Sequence, residues 1–339
     1  MDRLSMFSIY LGTVVGAGFA TGREIAYFFA RYGRDGLKGC LVTGVLLGAF
    51  GAITITQAKQ GASMAELTGC LGGALRMCVI VAGVCVVSGV LASSDRVCME
   101  QLNMPRNFGA LLMCGVSYLV IKGGFRRVGV ASAVMAPVLL FWAIWLGGSS
   151  ICEKGEYWYT LGLAGYSEPG WGWLGSALIY FLYNFLVAFP ALESASKSVS
   201  FLQNGGQNWT TVALAGLTIG LMAFGLCVAE LLEPDCLLFE IPALRLSSVR
   251  GDVVRGAYFI VLTMALTSTA IGALYGLISG PSRKLPWAPE LLSVMAVLLA
   301  QLGLGTIVER LYPLLSIGGF LLVFWKLGGV AFQAKNKTK

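Results

Sequence analysis

Apolar stretches of about 20 residues recur along the chain, separated by short segments rich in charged residues, glycine and proline. Each stretch is long enough to cross the ~30 Å hydrocarbon core of a bilayer as a helix. The pattern predicts an all-α membrane protein with about ten crossings, near residues 6–30, 38–57, 73–95, 107–121, 125–147, 173–201, 209–232, 253–279, 288–307 and 310–331.

The first stretch contains the segment GTVVGAGFATGREI, from Gly12 to Ile25. Glycine costs about 1 kcal/mol relative to alanine in a helix interior, and unwound backbone in hydrocarbon must find partners or line a cavity. Two interpretations are open. Pairs such as Gly12 and Gly16 allow close packing of a second helix. Alternatively, the helix is discontinuous and its free backbone groups bind a solute near the midplane.

A second apolar stretch, YNFLVAFPALESASKSV, carries Asn184, Pro190 and Glu193 in mid-membrane. Proline removes a backbone donor and clashes with the preceding turn, which predicts a break in the sixth crossing. Crossings 1 and 6 are equivalent members of two sets of five. Because five is odd, the two sets insert with opposite orientation, as in the inverted repeats of secondary transporters. The predicted organisation is a first repeat at 1–147, an outer loop at 148–172, a second repeat at 173–331 and a basic inner tail at 332–339.

Two acidic residues fall inside these interrupted crossings. A carboxylate within the membrane indicates a functional site by default, and Glu24 and Glu193 are therefore candidates for coupling. Structural alternatives are open for both. Glu24 has Arg23 and Arg31 nearby as partners at the outer boundary, and Glu193 has Lys197 one helical turn away.

The composition agrees with a polytopic membrane protein. Hydrophobic residues make up 57% of the chain and charged residues 12%, with a mean hydropathy of +0.77. A soluble domain carries roughly twice that charge. The loops on the N-terminal side hold more cations and far fewer acids than the opposite loops, so we expect both termini in the cytoplasm and the protein in the cell membrane. This asymmetry accounts for the net charge of +7 without nucleic acid as a partner.

Cysteine and histidine usage argues against a metal centre. The nine cysteines are scattered without a CxxC motif, and the chain has no histidine. Cys152 and Cys236 fall on the same expected side and are candidates for a disulfide, although two unpaired apolar side chains are favoured.

The GTVVGAGFATGREI segment, followed by a mid-chain YNF…FP and ten crossings, resembles the bacterial YkvI-like membrane proteins. They belong to the amino acid–polyamine–organocation superfamily of transporters, with the leucine-transporter fold. The resemblance runs through the chain, but only the first motif is distinctive. It implies the 5+5 inverted repeat with broken helices 1 and 6, and it supports the fold more than the substrate.

The resemblance also implies a division of labour among the crossings. Backbone amides at the first break would hold an anionic group of the solute, and side chains of the sixth crossing would face it. The implied substrate-binding residues are Gly16, Ala17, Gly18, Thr21, Tyr183, Asn184 and Phe185.

A sodium site is implied between the first and eighth crossings. Carbonyls of Gly12, Val15 and Met264 would join the hydroxyls of Thr267 and Ser268 in the all-oxygen ligation that suits a hard cation. The alternative is that these hydroxyls bond back to their own helix. No other metal and no cofactor is expected.

Proton coupling is the competing hypothesis. The fifth crossing lacks the lysine that replaces sodium in some proton-coupled relatives, which leaves Glu24 and Glu193 as proton carriers. Arg23 and Glu309 lie at the same expected side and are candidates for an outer gate. The apolar loop at 233–252 predicts a short helix that covers the outer vestibule, or an amphipathic helix on the surface.

These features favour a secondary active transporter of a small organic solute, such as an amino acid, working by alternating access with sodium coupling. A non-transporting solute sensor of the same fold is a second hypothesis. An enzyme is disfavoured because no histidine, paired-aspartate or metal constellation is present, and a channel because no filter motif is visible. The solute and the lipid bilayer are the expected partners, and the oligomeric state stays open.

Overall fold

The computed structural model describes residues 3–58, 69–122, 125–156, 172–196, 208–279 and 288–337. All regular elements within these ranges are helical. Six of their helical segments are long and apolar enough to cross a membrane: Arg34–Ala58, Leu71–Leu102, Gly172–Ser194, Trp209–Leu232, Asp252–Ala273 and Leu304–Gly328.

The first half of the chain opens with an interrupted crossing and continues with longer helices. Its elements are α1 (Arg3–Val14), α2 (Ala17–Thr21), α3 (Arg23–Phe28), a 3₁₀ turn (Ala30–Tyr32), α4 (Arg34–Ala58), α5 (Gly69–Leu102), α6 (Phe108–Lys122) and α7 (Phe125–Lys154).

The second half has two long helices, then a 3₁₀ turn and a short helix, and then three further crossings. Its elements are α8 (Gly172–Ser196), α9 (Asn208–Leu232), a 3₁₀ turn (Pro234–Leu238), α10 (Pro242–Val249), α11 (Asp252–Ser279), α12 (Ala288–Ala300), α13 (Leu304–Thr306), a π-helical turn (Ile307–Leu311) and α14 (Tyr312–Lys337).

The apolar pattern located these helices, and the differences lie at their ends. Helix α5 continues past Asp95 to Leu102, and α7 extends past residue 147 to Lys154. The ninth crossing ends at Ala300 rather than 307, because the chain turns at Gly303 with a φ of 82°. Helix α14 extends to Lys337, into the segment expected as a basic tail.

The sixth crossing corrects one expectation. Helix α8 is a single helix from Gly172 to Ser196, with Pro190 inside it. Pro190 lies on the exposed side of the helix, while Phe189 and Leu192 are buried. One lost backbone bond is tolerated in a membrane helix that its neighbours hold in place. The discontinuity of this fold is therefore seen only in the first crossing among the described residues.

Helices α4 and α9 form the closest helix pair of the core. Gly44 faces Gly220, and Gly48 faces Gly216, so that each glycine meets backbone atoms of the other helix. A Cβ atom at any of these positions would overlap the facing helix. Glycines four residues apart share one helix face, which is why this spacing brings two backbones together.

The expected short helix between the seventh and eighth crossings is present. Helix α10 packs on α2, α3 and α11, and the 3₁₀ turn packs on α9 and α10, so the segment does not lie free on the surface. Ala243, Leu244 and Leu246 of α10 are buried. This segment thus covers the end of the bundle at which α3 lies.

Candidate functional site

The first crossing is unwound at Val15 and Gly16. Gly16 has an extended conformation, with φ −98° and ψ −157°, and its amide bonds to the carbonyl of Val14 at 2.9 Å instead of continuing α1. Helix α2 then starts at Ala17. The first amides of a helix have no acceptor within that helix, so the backbone here offers free donors in the middle of the bundle.

A second interruption follows one helical turn later, at Gly22. Its φ of +80° is a left-handed conformation that glycine adopts without a steric cost. The outer part of the crossing is therefore two short helices, α2 and α3, joined at Gly22. The hydroxyl of Tyr258 on α11 donates to the carbonyl of Ala20 at 2.5 Å and fixes α2 from the side.

A cavity lies beside the unwound turn. It has an empty volume of about 330 Å³, counting the space that opens to the surface. The backbone at Gly16, Ala17 and Gly18 forms one wall, and valines of α1, α5 and α8 contribute apolar surface. The polar side chains that line it are Thr13, Glu24, Tyr183, Asn184, Thr269 and Tyr312.

Glu24 is the acidic side chain of this cavity. It is 5% exposed, and its carboxyl group accepts a short hydrogen bond from the hydroxyl of Tyr183. A Cβ atom at Gly18 would overlap that carboxyl group, so any larger residue there would displace the Glu24 side chain. A pairing with Arg23 or Arg31 at the outer boundary was the structural alternative for Glu24. Instead, the turn at Gly22 rotates α3 so that Glu24 points inward.

Aromatic rings hold Tyr183 in place. Its ring stacks on Tyr312 with centroids 4.9 Å apart and on Phe28 at 5.7 Å, and Tyr180 contacts its edge at 5.3 Å. These residues come from α3, α8 and α14. The hydroxyl that bonds Glu24 is therefore positioned by three crossings.

Five of the seven residues expected to bind substrate line the cavity, namely Gly16, Ala17, Gly18, Tyr183 and Asn184. The amide of Asn184 also donates to the carbonyl of Tyr180 at 3.0 Å.

Thr21 and Phe185 lie elsewhere. The hydroxyl of Thr21 donates to the carbonyl of Gly18 at 2.7 Å, within α2. Phe185 points away and packs on Phe181 and Phe50.

The hydroxyls of the expected sodium site bond to their own helix. Thr267 donates to the carbonyl of Thr263 at 2.7 Å, and Ser268 to that of Ala265 at 3.1 Å. Met264 is 47% exposed. None of these residues lines the cavity, and neither do Gly12 and Val15.

The hydroxyl residue of α11 that approaches the break is Thr269, against Gly16. In the part of the chain that the structure describes, no cluster of three acidic or cysteine side chains suits a metal ion.

Arg23 and Glu309 meet above the cavity. Nη2 of Arg23 lies 2.6 Å from a carboxylate oxygen of Glu309, and the side chains are 20% and 42% exposed. Nη1 of Arg23 also approaches the carbonyl of Phe239 at 3.5 Å, and the hydroxyl of Tyr27 donates to the carbonyl of Glu309 at 3.1 Å. This cluster joins α3, the π-helical turn and the segment before α10, while its role as a gate stays a prediction.

Glu193 lies in the other half of the bundle. It is partly buried and interacts electrostatically with Lys326 of α14, while Lys197 lies outside the described residues. Lys326 was expected in an inner loop, yet it is 1% exposed, with its ammonium group 4.3 Å from the ring centroid of Trp325 and 5.0 Å from that of Phe189. Glu193 does not line the cavity.

A curated relative matches almost the whole chain. The uncharacterized membrane protein YkvI of Bacillus subtilis is 30% identical over 324 residues, which cover 90% of this chain and 90% of the relative. The chain belongs to the YkvI family. No family model matches the sequence.

Three solved structures have the same fold as this YkvI-family chain. A manganese transporter mutant of Eremococcus coleocola superimposes with a TM-score of 0.62 at 10% identity, covering 96% of this chain and 78% of that chain. MhsT in complex with L-phenylalanine gives 0.58 at 16% identity, covering 95% and 88%. Mhp1, a nucleobase-cation-symport-1 family transporter, gives 0.56 at 14% identity, covering 94% and 75%. The YkvI-family chain therefore has the leucine-transporter fold, with its ten-helix core of two inverted repeats.

Sequence reasoning missed several residues of the site. Tyr312 and Thr269 look like ordinary tyrosine and threonine residues in apolar helices, and only the packing of α14 and α11 brings them to the cavity. Glu230 of α9 is fully buried near Gly22. A signal for it exists, since it is an acidic residue in an apolar stretch.

The cysteines of this YkvI-family chain form no disulfide among the described residues. Cys152 is exposed at the end of α7, whereas Cys236 is buried in the 3₁₀ turn after α9, and both are free thiols. Burial, with the nearby acids Glu230, Glu233 and Asp235, raises the pKa of the Cys236 thiol. Cys236 is thus an unreactive, buried side chain.

Proposed function

We propose that this protein is a secondary active transporter of a small organic solute, with the cavity beside Gly16 as its binding site. One observation carries the proposal. The first crossing loses its helical hydrogen bonding at Gly16, and the free backbone groups open into a buried cavity that also contains the carboxyl group of Glu24. Unwound backbone at membrane depth is stable only where it is buried in protein or lines a cavity, and transporters use it to bind solutes.

The groups that line the cavity favour an amino acid as the solute. Glu24 supplies an acceptor for an amino group, and the first amides of α2 supply donors for a carboxylate. The surrounding valines and tyrosines suit an apolar side chain. An amino acid or a related zwitterion satisfies all three features.

Alternating access would move one group of helices against the rest. Helices α1, α4, α8 and α9 form that group, and the glycine contacts between α4 and α9 hold it together as a rigid body. The ion pair between Arg23 and Glu309 would close one end in this arrangement of the helices. The proposed location is the cell membrane with both termini in the cytoplasm, which places this end outside. The protein would perform no covalent chemistry.

The positions of the expected sodium ligands and of Glu24 also bear on which ion is coupled to transport. Sodium would be held by Gly12, Val15, Met264, Thr267 and Ser268, and none of these residues lines the cavity. Glu24 is already buried in the cavity, with Tyr183 bonded to it. We therefore place proton carriage by Glu24 ahead of sodium coupling, and sodium remains the alternative.

Uptake into proteoliposomes tests the function and the coupling together. A panel of labelled amino acids is offered with a sodium gradient, a pH gradient or neither, imposed separately. The proposal expects uptake of at least one amino acid, driven by the pH gradient and lost in Glu24→Gln. Uptake that depends on sodium, and that Glu24→Gln leaves intact, would reject proton carriage by Glu24.

A solute sensor is distinguished in the same preparation. Binding of an amino acid, detected as a rise in the thermal unfolding temperature, without flux under any gradient would indicate sensing rather than transport. Neither binding nor flux for any solute of the panel would reject the proposed substrate class.

A further inference from the structure

A second buried carboxyl group lies beside the closed end of the bundle. Glu230, in the last turn of α9, is 0% exposed, and neither of its carboxyl oxygens has a hydrogen-bond partner among the described residues. An ionised carboxylate in apolar surroundings without a partner is very costly, so the side chain must be neutral in this state. A neutral carboxyl group at this position holds a proton.

Arg23 also has a buried polar atom without a hydrogen-bond partner within the described ranges. Its Nη2 bonds Glu309, but its Nε is buried and has no partner in the described part of the chain. Arg23 and Glu230 interact electrostatically, and a Cβ atom at Gly22 would lie 2.8 Å from Oε1 of Glu230. An unsatisfied donor and an unsatisfied acceptor therefore flank the same glycine turn.

Besides Arg23, the titratable groups that interact directly with Glu230 are two thiols and a phenol. They are Cys227 on its own helix, which contacts Cys40 of α4, Cys236 of the 3₁₀ turn and Tyr258 of α11. Lys154 of α7 bonds Glu233 at 2.6 Å. Among these groups, Arg23 is the cation available to Glu230.

We propose that Glu230 is a proton-binding residue that controls the Arg23–Glu309 gate. When Glu230 is protonated, Arg23 pairs with Glu309 and this end is closed. When Glu230 loses its proton to solvent, the carboxylate attracts the guanidinium of Arg23 through a rotation at Gly22. Glu309, which is already partly exposed, is then left to water, and the path to the cavity opens. One proton is released for each opening and bound for each closure.

This switch rests on the proposed alternating access but is independent of the substrate. It also differs from proton carriage by Glu24, because Glu24 is in the cavity and Glu230 lies behind the gate. The substitutions Glu24→Gln and Glu230→Gln should therefore differ in their consequences. Glu24→Gln should alter solute coupling, and Glu230→Gln should alter only access through the gate.

The test measures access to the cavity as a function of pH. Val187, which lines the cavity, is replaced by cysteine in the full-length protein in proteoliposomes, and a membrane-impermeant thiol reagent is added between pH 5 and pH 8 on the side of the Arg23–Glu309 pair, where Cys152 is also exposed. Labelling is read for each peptide by mass spectrometry. The rate at Val187→Cys is divided by the rate at the exposed Cys152, which corrects for the reactivity of the thiol itself at each pH.

With native Glu230, the ratio should rise with pH by up to about tenfold per unit, the limit for one proton. Glu230→Gln should give a low ratio that does not change with pH. The matched control is Glu233→Gln, a buried acid three residues away that pairs with Lys154, and it should retain the rise. Glu309→Gln removes the competing partner and should give a high ratio at every pH.

A rise with pH that persists in Glu230→Gln would overturn the proposal, as would a flat ratio in the presence of Glu230. Should Glu230→Gln not yield monodisperse protein, Glu230→Met supplies a neutral side chain of similar volume and carries the same expectation. A failure to find any transported solute, with the pH-dependent labelling intact, would reject the proposed function and leave the switch standing.

Discussion

Two glycine-rich regions of this protein have opposite structures. In the first crossing, Gly16 and Gly22 mark the points at which the helix stops, once in an extended and once in a left-handed conformation. In α4 and α9, four glycines lie within uninterrupted helices and bring the two backbones into contact. The same residue type breaks one element and joins two others.

The difference lies in what occupies the space beside the missing side chain. At Gly44, Gly48, Gly216 and Gly220 it is the backbone of another helix, so packing compensates for the low helix propensity of glycine. At Gly18 it is the carboxyl group of Glu24, a polar group that needs partners. Glycine in a membrane helix thus indicates that another group packs closely against that helix. Where the group is a second helix backbone, the contact stabilises the fold, and where it is a polar side chain, the contact belongs to a binding site.

The largest effect is expected from filling the contact between α4 and α9. Gly216→Leu would drive a side chain into the backbone of Gly48, and no flexible group can move aside. Overpacking costs about 1–3 kcal/mol even in adaptable cores and more against backbone. We expect little monodisperse protein and a strongly lowered unfolding temperature in detergent. Gly256→Leu, on an open face of α11, is the control and should be tolerated.

Gly18→Ala should remove function and spare the fold. The added methyl group would displace the carboxyl group of Glu24 from Tyr183, while the surrounding helices remain packed. We expect amino acid uptake to fall by at least about tenfold, since a loss of about 1.4 kcal/mol in the binding free energy of the solute suffices for that. The unfolding temperature should stay close to that of the native protein. Gly73→Ala, which meets open space, should retain uptake, and equal uptake in both variants would show that the position of Glu24 is unimportant.

Tyr183→Phe removes one hydroxyl from the same site. The ring can keep its stacking on Phe28 and Tyr312, but Glu24 loses its donor. A hydrogen bond to a charged group contributes about 1.5–3 kcal/mol, which makes the ionised form of Glu24 less favourable without it. Glu24 should therefore stay protonated to higher pH, and the pH profile of uptake should move upward. Tyr312→Phe keeps the ring contact and should leave the profile in place, so a shift of equal size there would contradict the assignment.

The smallest effect on stability is expected at the Arg23–Glu309 pair. Both side chains are partly exposed, and such pairs contribute about 0–1 kcal/mol. A double-mutant cycle with Arg23→Gln and Glu309→Gln, followed by thermal unfolding, should give a coupling energy in this range. A value well above it would mean that the pair belongs to the scaffold and does not open during transport.

Hydropathy predicted the crossings well because a segment that spans the hydrocarbon core must be predominantly apolar, whatever its neighbours. The interruption at Gly16 was also predictable, since four glycines within one apolar stretch are hard to reconcile with a regular helix. Pro190 misled the prediction. A single missing donor on an exposed helix face can be tolerated, and the sequence does not reveal which face a proline occupies.

Site residues were harder to predict because they depend on rotation. The left-handed turn at Gly22 directs Glu24 inward and leaves Arg23 at the surface, and no periodicity reports that turn. Likewise, Thr267, Ser268 and Thr269 are adjacent hydroxyl residues, and the rotation of α11 places only Thr269 at the cavity. Glu230 was overlooked because it lies at the end of the seventh apolar stretch, where an acidic residue resembles the start of the following charged loop.

The π-helical turn at Ile307–Leu311 has a mechanical consequence. It holds one residue more than an α-helical turn would, so Glu309 and Tyr312 differ in angular phase from what an α-helix of the same sequence would give. Tightening this turn into α-geometry would change that phase by about 100°, one residue's share of a turn. Since Glu309 contacts Arg23 and Tyr312 stacks on Tyr183, a single local winding step would move both the Arg23–Glu309 ion pair and one wall of the cavity.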